Sequence, residues 1–77
     1  GLALDYEAVR TGGSLPTVFN AANEMAVGQF LNREIKYLEI IEIIEDCMRA
    51  HKNIENPTLD QILETEAETY VRIKSRR

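Results

Sequence analysis

The sequence predicts an all-α protein, a compact bundle of about four short helices. Apolar residues recur every three or four positions along most of the 77 residues, which is the spacing of a helix face. No stretch alternates apolar and polar residues with the two-residue period of a half-buried strand. Helix stop and start signals, a glycine pair and an asparagine–proline pair among them, divide the chain into four segments.

The first segment is predicted to form a helix from about Leu2 to Thr11. Leu2, Tyr6 and Val9 fall on one stripe at helical spacing, so we expect them to face the core. The pair Gly12-Gly13 ends this helix, because glycine readily adopts the left-handed conformation that follows a helix C-terminus.

The second helix is predicted to begin after Ser14, which can cap it, and to reach about Leu31. Pro16 falls in its first turn, where a missing N–H does no harm. Gly28 lies inside this helix and costs up to about 1 kcal/mol relative to alanine. Two interpretations of Gly28 stay open: another backbone passes close to it, or it is an ordinary surface glycine.

The third helix is predicted from about Leu38 to His51, after a turn at residues 32–34. Its polar face includes Glu45 and Arg49, which are spaced to form a weak ion pair. At the end of this helix, we expect His51 to stabilise the C-terminal dipole. The apolar stripe of the third helix comprises Ile40, Ile41, Ile43, Ile44, Cys47 and Met48.

The last segment follows the dipeptide Asn56-Pro57 and begins with a capping box from Thr58 to Gln61. A second possible box, from Thr65 to Glu68, leaves two alternatives open. The segment is either one helix over Leu59–Lys74 or a short turn followed by a longer helix. On the one-helix interpretation its inward stripe comprises Leu59, Ile62, Leu63, Ala67 and Tyr70.

Three polar residues of the second helix, Asn20, Asn23 and Glu24, are the candidate site residues. They stand at i, i+3 and i+4 and therefore share one face. The helix is apolar on most other sides, so the sequence predicts a central helix in which these side chains are enclosed and have partners. Two interpretations stay open: a polar network that ties helices of this domain together, or one that reaches a partner domain.

The composition bounds the class of protein. A net charge of -4 argues against a nucleic-acid partner, since phosphate recognition depends on clustered basic residues. Cys47 is the single cysteine and cannot form an internal disulfide, so we expect a reducing, cytoplasmic location. No apolar run is long enough to span a bilayer and no signal peptide is visible, so we expect no membrane partner. A late basic cluster, expected to complement the last helix dipole or to form a frayed tail, comprises Arg72, Lys74, Arg76 and Arg77.

The search for chemistry in the sequence yields no catalytic, cofactor-binding or metal-binding residue. The turn Gly12-Gly13-Ser14 lacks the later glycine and lysine of a phosphate cradle and follows a helix, where such a cradle follows a strand. The carboxylates Glu39, Glu42 and Asp46 are interpreted as a solvated helix face, because no Glu-x-x-His pair accompanies them. Cys47 lies among isoleucines, where a thiol behaves as a small apolar side chain.

One run of the chain resembles a known family, the C-terminal helical domain of 1-deoxy-D-xylulose 5-phosphate reductoisomerase. The run extends from Gly12 through the Asn20, Asn23 and Glu24 positions to Val27, and Phe30-Leu31 and Ile35 continue it in order and spacing. The similarity covers nearly the whole chain. Two positions depart from the family pattern: Phe19 replaces the usual leucine, and Leu38 replaces a small capping residue.

The resemblance implies a parent enzyme that isomerises 1-deoxy-D-xylulose 5-phosphate and reduces it with NADPH to 2-C-methyl-D-erythritol 4-phosphate, a step of non-mevalonate isoprenoid biosynthesis. It implies a homodimer that needs a divalent cation, Mg or Mn. In the family the dinucleotide and metal motifs lie in earlier domains, and no residue here matches them. Residues 1–77 are therefore expected to be a C-terminal helical domain of a longer enzyme.

Two hypotheses from different classes follow. In the first, the chain is a scaffold, inactive alone, that packs against the preceding catalytic domain of the same chain. In the second, it is a free-standing helical protein–protein interaction module that binds a partner helix in an apolar groove.

Overall fold

The fold is all-α, as predicted. A computed structural model describes residues 2–76, which contain no strand, and the side chains of residues 3–76. The helices are α1 (Leu2–Thr11), α2 (Leu15–Leu31), α3 (Tyr37–Ala50) and α4 (Leu59–Lys74). The predicted ends of the four segments are confirmed to within one residue, and α4 is one helix rather than a turn and a helix. No helix in the described part of the chain combines the length and apolarity that crossing a bilayer requires.

Helix α2 lies at the centre, since α1, α3 and α4 all pack on it. Its packed side carries small residues, among them Ala21, Ala22 and Ala26, which let neighbouring helices approach closely. Phe19 is half-buried against the core, which accommodates the larger ring at that position. The buried core cluster comprises Ala8, Leu15, Val18, Ala22, Ala26, Ile43, Ile44, Cys47, Met48 and Ile73.

Helix α1 packs on α2 through a face other than the predicted one. Tyr6 and Val9 are exposed, whereas Ala8 is buried and Leu4 is half-buried against the core. Ala8, a small residue at the contact, lets the two backbones come close, with Leu4 beside it, while Tyr6 and Val9 point outward. The predicted inward stripe of α1 is therefore wrong for Tyr6 and Val9, and the side chain of Leu2 lies outside the described residues.

Gly12 and Gly13 both have positive φ angles, of 72° and 64°, which confirms that they end α1. Gly13 has a second constraint, since a Cβ atom there would collide with the carbonyl oxygen of Ile54. The α1–α2 turn and the α3–α4 loop are thus in backbone contact at this point.

Helix α3 begins one residue earlier than predicted, with Lys36 as its N-cap. The Lys36 backbone N–H donates to Glu39 Oε1 at 2.8 Å, so the first turn is closed by a carboxylate that also favours the positive end of the helix dipole. Leu38 therefore lies inside the first turn and not at the cap. Its departure from the family pattern does not disturb how this helix begins.

The buried face of helix α4 is rotated from the predicted stripe and shares only part of it. Thr65, Thr69 and Ile73 are buried, and the Thr69 hydroxyl donates to the carbonyl of Thr65 at 2.8 Å. The predicted capping box between Thr58 and Gln61 is confirmed, with hydrogen bonds of 2.9 and 3.2 Å. Thr65 lies inside the helix, so the second possible box does not form. Of the predicted inward stripe, Ile62 and Tyr70 are half-buried and Leu59, Leu63 and Ala67 are exposed.

Candidate interdomain surface

The three candidate site residues of α2 do share one face, but that face is exposed. Asn20, Asn23 and Glu24 are all exposed, and neither asparagine side chain hydrogen-bonds to any part of residues 2–76. Within residues 2–76 the two asparagines therefore lack the enclosing neighbours of the first alternative, and the alternative in which they reach a partner domain stays a prediction. The physical reason is that the neighbouring helices pack on the alanine side of α2 and leave the opposite arc uncovered.

Glu24 has a partner within the domain. The Tyr70 hydroxyl on α4 donates to Glu24 Oε1 at 2.8 Å, across 46 residues of sequence. This hydrogen bond to Glu24 is the largest cause that raises the pKa of Tyr70 to about 12. The contact ties α4 to α2, so the within-domain network exists for Glu24 but does not include the asparagines.

A shallow apolar groove of about 210 Å³ adjoins the asparagine arc, between α2 and α3. Asn23 lies at its rim, and nearby Leu31 is 71% exposed. Tyr37 is 67% exposed although its ring packs edge-on against Phe30, with centroids 5.6 Å apart. The residues that line the groove are Asn23, Val27, Tyr37, Ile40, Ile41 and Ile44.

We call this continuous surface the open face. It combines a polar part with an apolar part, and exposed apolar area beside polar groups marks many protein–protein contact sites. The open face comprises Asn20, Asn23, Glu24, Val27, Gly28 and Leu31 of α2 with Tyr37 and Ile41 of α3.

Three residues of the open face weaken the helix that carries them. Gly28 costs up to about 1 kcal/mol relative to alanine in a helix interior, and Asn20 and Asn23 each cost up to about 0.7 kcal/mol. A Cβ atom added at Gly28 would meet no atom of the described residues within 4 Å. Nothing in this part of the chain therefore requires a glycine there, and no backbone of the same domain passes close to it.

A second polar cluster, which the sequence did not predict, joins the start of α2 to the loop after α3. Asn53 Oδ1 accepts the backbone N–H groups of Ser14 and Leu15, each at 3.0 Å. The Ser14 hydroxyl accepts from the Ile54 N–H at 2.9 Å and makes no capping bond within its own helix. The prediction that the Ser14 side chain caps α2 is therefore wrong, because Asn53 supplies the cap from 39 residues away.

His51 belongs to the same cluster, with its Nε2 atom 2.6 Å from Ser14 Oγ. Burial lowers the pKa of His51, against a smaller opposing effect of Glu68. Because the neutral ring is favoured, the predicted interaction of a charged His51 with the helix dipole is not supported. Ser14 is 0% exposed and its hydroxyl is fixed by Ile54, so the serine–histidine contact is structural and not a nucleophile and its base.

The remaining reactive side chains have structural surroundings. Cys47 is buried, as predicted, and burial is the largest cause that raises the pKa of its thiol. The predicted pair of Glu45 with Arg49 is confirmed at 3.2 Å. Asp46 accepts two hydrogen bonds from Arg72, of 2.9 and 3.1 Å, and this contact is the largest cause that lowers the pKa of Asp46.

The basic cluster near the end of the chain divides between two roles. Arg72 and Lys74 lie in the last turn of α4, where positive charge favours the helix dipole, as predicted. Arg76 reaches Asp46 at 3.7 Å, so it is not part of a frayed tail. Arg77 lies outside the described residues.

Comparison with known proteins decides the family. The sequence model described as the DXP reductoisomerase C-terminal domain matches residues 1–72. The chain belongs to this family. The family prediction made from the run around Asn20, Asn23 and Glu24 is therefore confirmed. We interpret the open face in the context of the DXP reductoisomerase C-terminal domain family.

Three relatives named 1-deoxy-D-xylulose 5-phosphate reductoisomerase give the extent of the match. The protein from Agathobacter rectalis is 59% identical over 76 residues, covering 99% of this chain and 20% of the relative. The protein from Lachnoclostridium phytofermentans is 59% identical over 70 residues, covering 91% and 18%. The protein from a Thermoanaerobacter species is 51% identical over 72 residues, covering 94% and 19%. The chain spans about a fifth of the length of these curated relatives.

The cofactor and the cation implied by the resemblance do not fit the described residues. Within residues 2–76 no three His, Cys, Asp or Glu side chains come together in a way that could hold a metal ion. The turn Gly12-Gly13-Ser14 is packed against Ile54 and Asn53, which leaves no room for a pyrophosphate.

Proposed function

We propose that this chain is the C-terminal part of an enzyme that isomerises 1-deoxy-D-xylulose 5-phosphate and reduces it with NADPH to 2-C-methyl-D-erythritol 4-phosphate. The match to a C-terminal domain family over residues 1–72 carries this proposal. The relatives are about five times as long as the matched segment, which supports a parent protein with further domains. We place NADPH and the divalent cation, Mg or Mn, in those domains, and the parent enzyme in the cytoplasm as a homodimer.

Within that enzyme, the role we propose for this chain is a scaffold. Its ionisable groups support this role, because the best-placed ones are engaged in structural pairs, such as Asp46 with Arg72 and Glu24 with Tyr70. The open face supports a contact with the preceding catalytic domain, with Asn20 and Asn23 bridging the two domains. A free-standing interaction module is not favoured, because the relatives carry the matched segment as one part of a much longer chain.

A chimera tests the proposal. The residues of the Agathobacter rectalis reductoisomerase that match this chain are replaced by this chain, and NADPH oxidation is measured with 1-deoxy-D-xylulose 5-phosphate as substrate. We expect the chimera to be active, and both this chain alone and the relative truncated before the matched segment to be inactive. A chimera that folds but lacks activity would contradict the proposal, as would full activity of the truncated relative.

A further inference from the structure

We propose that the open face binds a main-chain segment of the catalytic part of the same polypeptide, which passes over Gly28 and hydrogen-bonds to the carboxamides of Asn20 and Asn23. This inference rests on the proposed function and identifies the contact by which the scaffold acts. The occupant follows from the chain's share of its relatives, since about four fifths of their length lies outside the matched segment.

The uncovered arc of α2 carries residues that do not favour a helix. Asn20, Asn23 and Gly28 are poor helix formers inside a 17-residue helix. Alanine at these positions would strengthen the helix, and the packed side of α2 does use alanine. Two exposed asparagines and a half-buried glycine, none needed by the described part of the chain, indicate a requirement from outside it.

These residues provide open space and hydrogen-bonding groups to a partner. A glycine with open space above it lets a second backbone approach to contact distance, which any Cβ would prevent. A carboxamide has both donors and an acceptor, so it matches the N–H and C=O of a peptide group. Asn20, Glu24 and Gly28 stand at i, i+4 and i+8, so a segment lying along the helix meets amide and glycine in turn.

The open face combines little charge with exposed apolar area. Glu24 is the single charged residue on the α2 part of the open face, and its carboxylate already accepts from Tyr70. The adjoining groove of about 210 Å³ is lined mostly by aliphatic side chains and Tyr37. The fitting partner is therefore an uncharged backbone segment that also places an apolar side chain between α2 and α3.

A larger groove of about 590 Å³ lies on the outer side of α4, beside Ala67 and Val71. Three of the five charged residues that line it are paired with one another, since Asp46 contacts both Arg72 and Arg76. It contains no glycine and no asparagine. The open face is therefore the better-supported contact.

The test compares the same substitutions in two settings. In this chain alone, Gly28→Ala is expected to raise Tm by about 4 °C, because alanine is the better helix former and its Cβ has space. In the Agathobacter rectalis chimera the same change is expected to lower Tm by about 2 to 4 °C, because the Cβ separates the docked segment from the helix. The sign therefore reverses on assembly. Asn23→Ala is expected not to lower the Tm of the isolated chain. It is expected to lower the Tm of the chimera.

The matched control is Glu42→Ala, an exposed α3 position outside the open face. It is expected to change Tm by less than about 1 °C in both settings. Deuterium exchange of the α2 amides, measured on the chimeras alone, gives a second readout that does not require the isolated chain to fold. Gly28→Ala and Asn23→Ala should speed that exchange, and Glu42→Ala should not.

The outcomes separate the inference from the proposed function. An unmodified chimera that folds without activity overturns the proposed function and, with it, the basis of the inference. An active chimera in which Gly28→Ala and Asn23→Ala behave like Glu42→Ala overturns the inference and leaves the proposed function standing. Reversal of sign for Gly28→Ala in an active chimera supports both.

Discussion

At the scale of single residues, Asn53 defines how α2 begins. One carboxamide oxygen accepts from the Ser14 and Leu15 N–H groups at the helix start, in addition to the backbone oxygens of Ile54 and Gly12 that these groups also reach. Sequence rules place a capping side chain at the N-cap residue itself, and serine, which occupies that position as Ser14, is a favoured residue type there. They fail here because the acceptor comes from a loop that is distant in sequence.

Replacing Asn53 by alanine is expected to lower the free energy of unfolding by about 1 kcal/mol, since the Ser14 and Leu15 N–H groups and the Ser14 hydroxyl each lose one acceptor. Urea unfolding monitored by circular dichroism measures this. Asn56→Ala, at another exposed asparagine of the same loop, is the matched control. Equal unfolding midpoints for the two variants would show that the Asn53 contacts contribute nothing.

His51 is expected to make the stability depend on pH in a defined window. Its pKa in the folded chain lies below the unfolded value of about 6.5, mainly through burial, so the unfolded state binds the proton more readily. Stability is therefore complete above about pH 6.5 and falls as the pH drops below that value toward the lowered folded pKa.

The measurement is urea unfolding at pH 8 and at pH 5. This chain has one histidine, so His51→Gln should remove most of the difference between the two values. The lowered pKa of Asp46 acts in a more acidic range, below its ordinary value of 3.8. If His51→Gln loses as much stability as the unaltered chain on acidification, the buried neutral ring is not the cause.

At the scale of elements, the helix ends were predictable and some helix faces were not. Ends depend on neighbours in sequence, such as Gly12-Gly13 after α1 or Thr58 before α4, and these signals were interpreted correctly. The buried face of a helix depends on what packs against it. Ala8 of α1 and Ile73 of α4 join the core cluster with the alanines of α2, whereas Val9 and Leu63 remain exposed.

A pair of truncations on α4 checks which side faces the core. Ile73 is 2% exposed and Leu63 is 54% exposed. Ile73→Ala is expected to lower the free energy of unfolding by about 2 to 4 kcal/mol, because it leaves a cavity. Leu63→Ala is expected to lower it by about 0.5 kcal/mol or less. Urea unfolding of both variants provides the comparison, and the reverse order would restore the stripe that the sequence predicted.

At the scale of the whole molecule, the chain is a four-helix bundle in which the central helix α2 has one side left uncovered. The family and the fold class could be predicted from sequence, because a specific run of residues and helical periodicity are local properties. The exposure of Asn20 and Asn23 could not. An apolar helix with polar residues on one arc has the same pattern whether that arc meets its own domain or another one.

The chimera experiments test what covers the open face in the whole molecule. A scaffold that is incomplete alone should change its response to mutation when it joins the rest of the enzyme. Gly28→Ala is the most informative substitution, because it is expected to raise the Tm of the isolated chain and to lower the Tm of the chimera.

The contact between Ser14 and Asn53 also bears on the order of events at the ribosome. Translation is vectorial, so the start of α2 is made 39 residues before the side chain that caps it. The Ser14 N–H of the nascent chain therefore lacks both of its acceptors, Asn53 and Ile54, until the loop after α3 has left the exit tunnel. The start of α2 therefore reaches its final form only after the loop that follows α3 has been made.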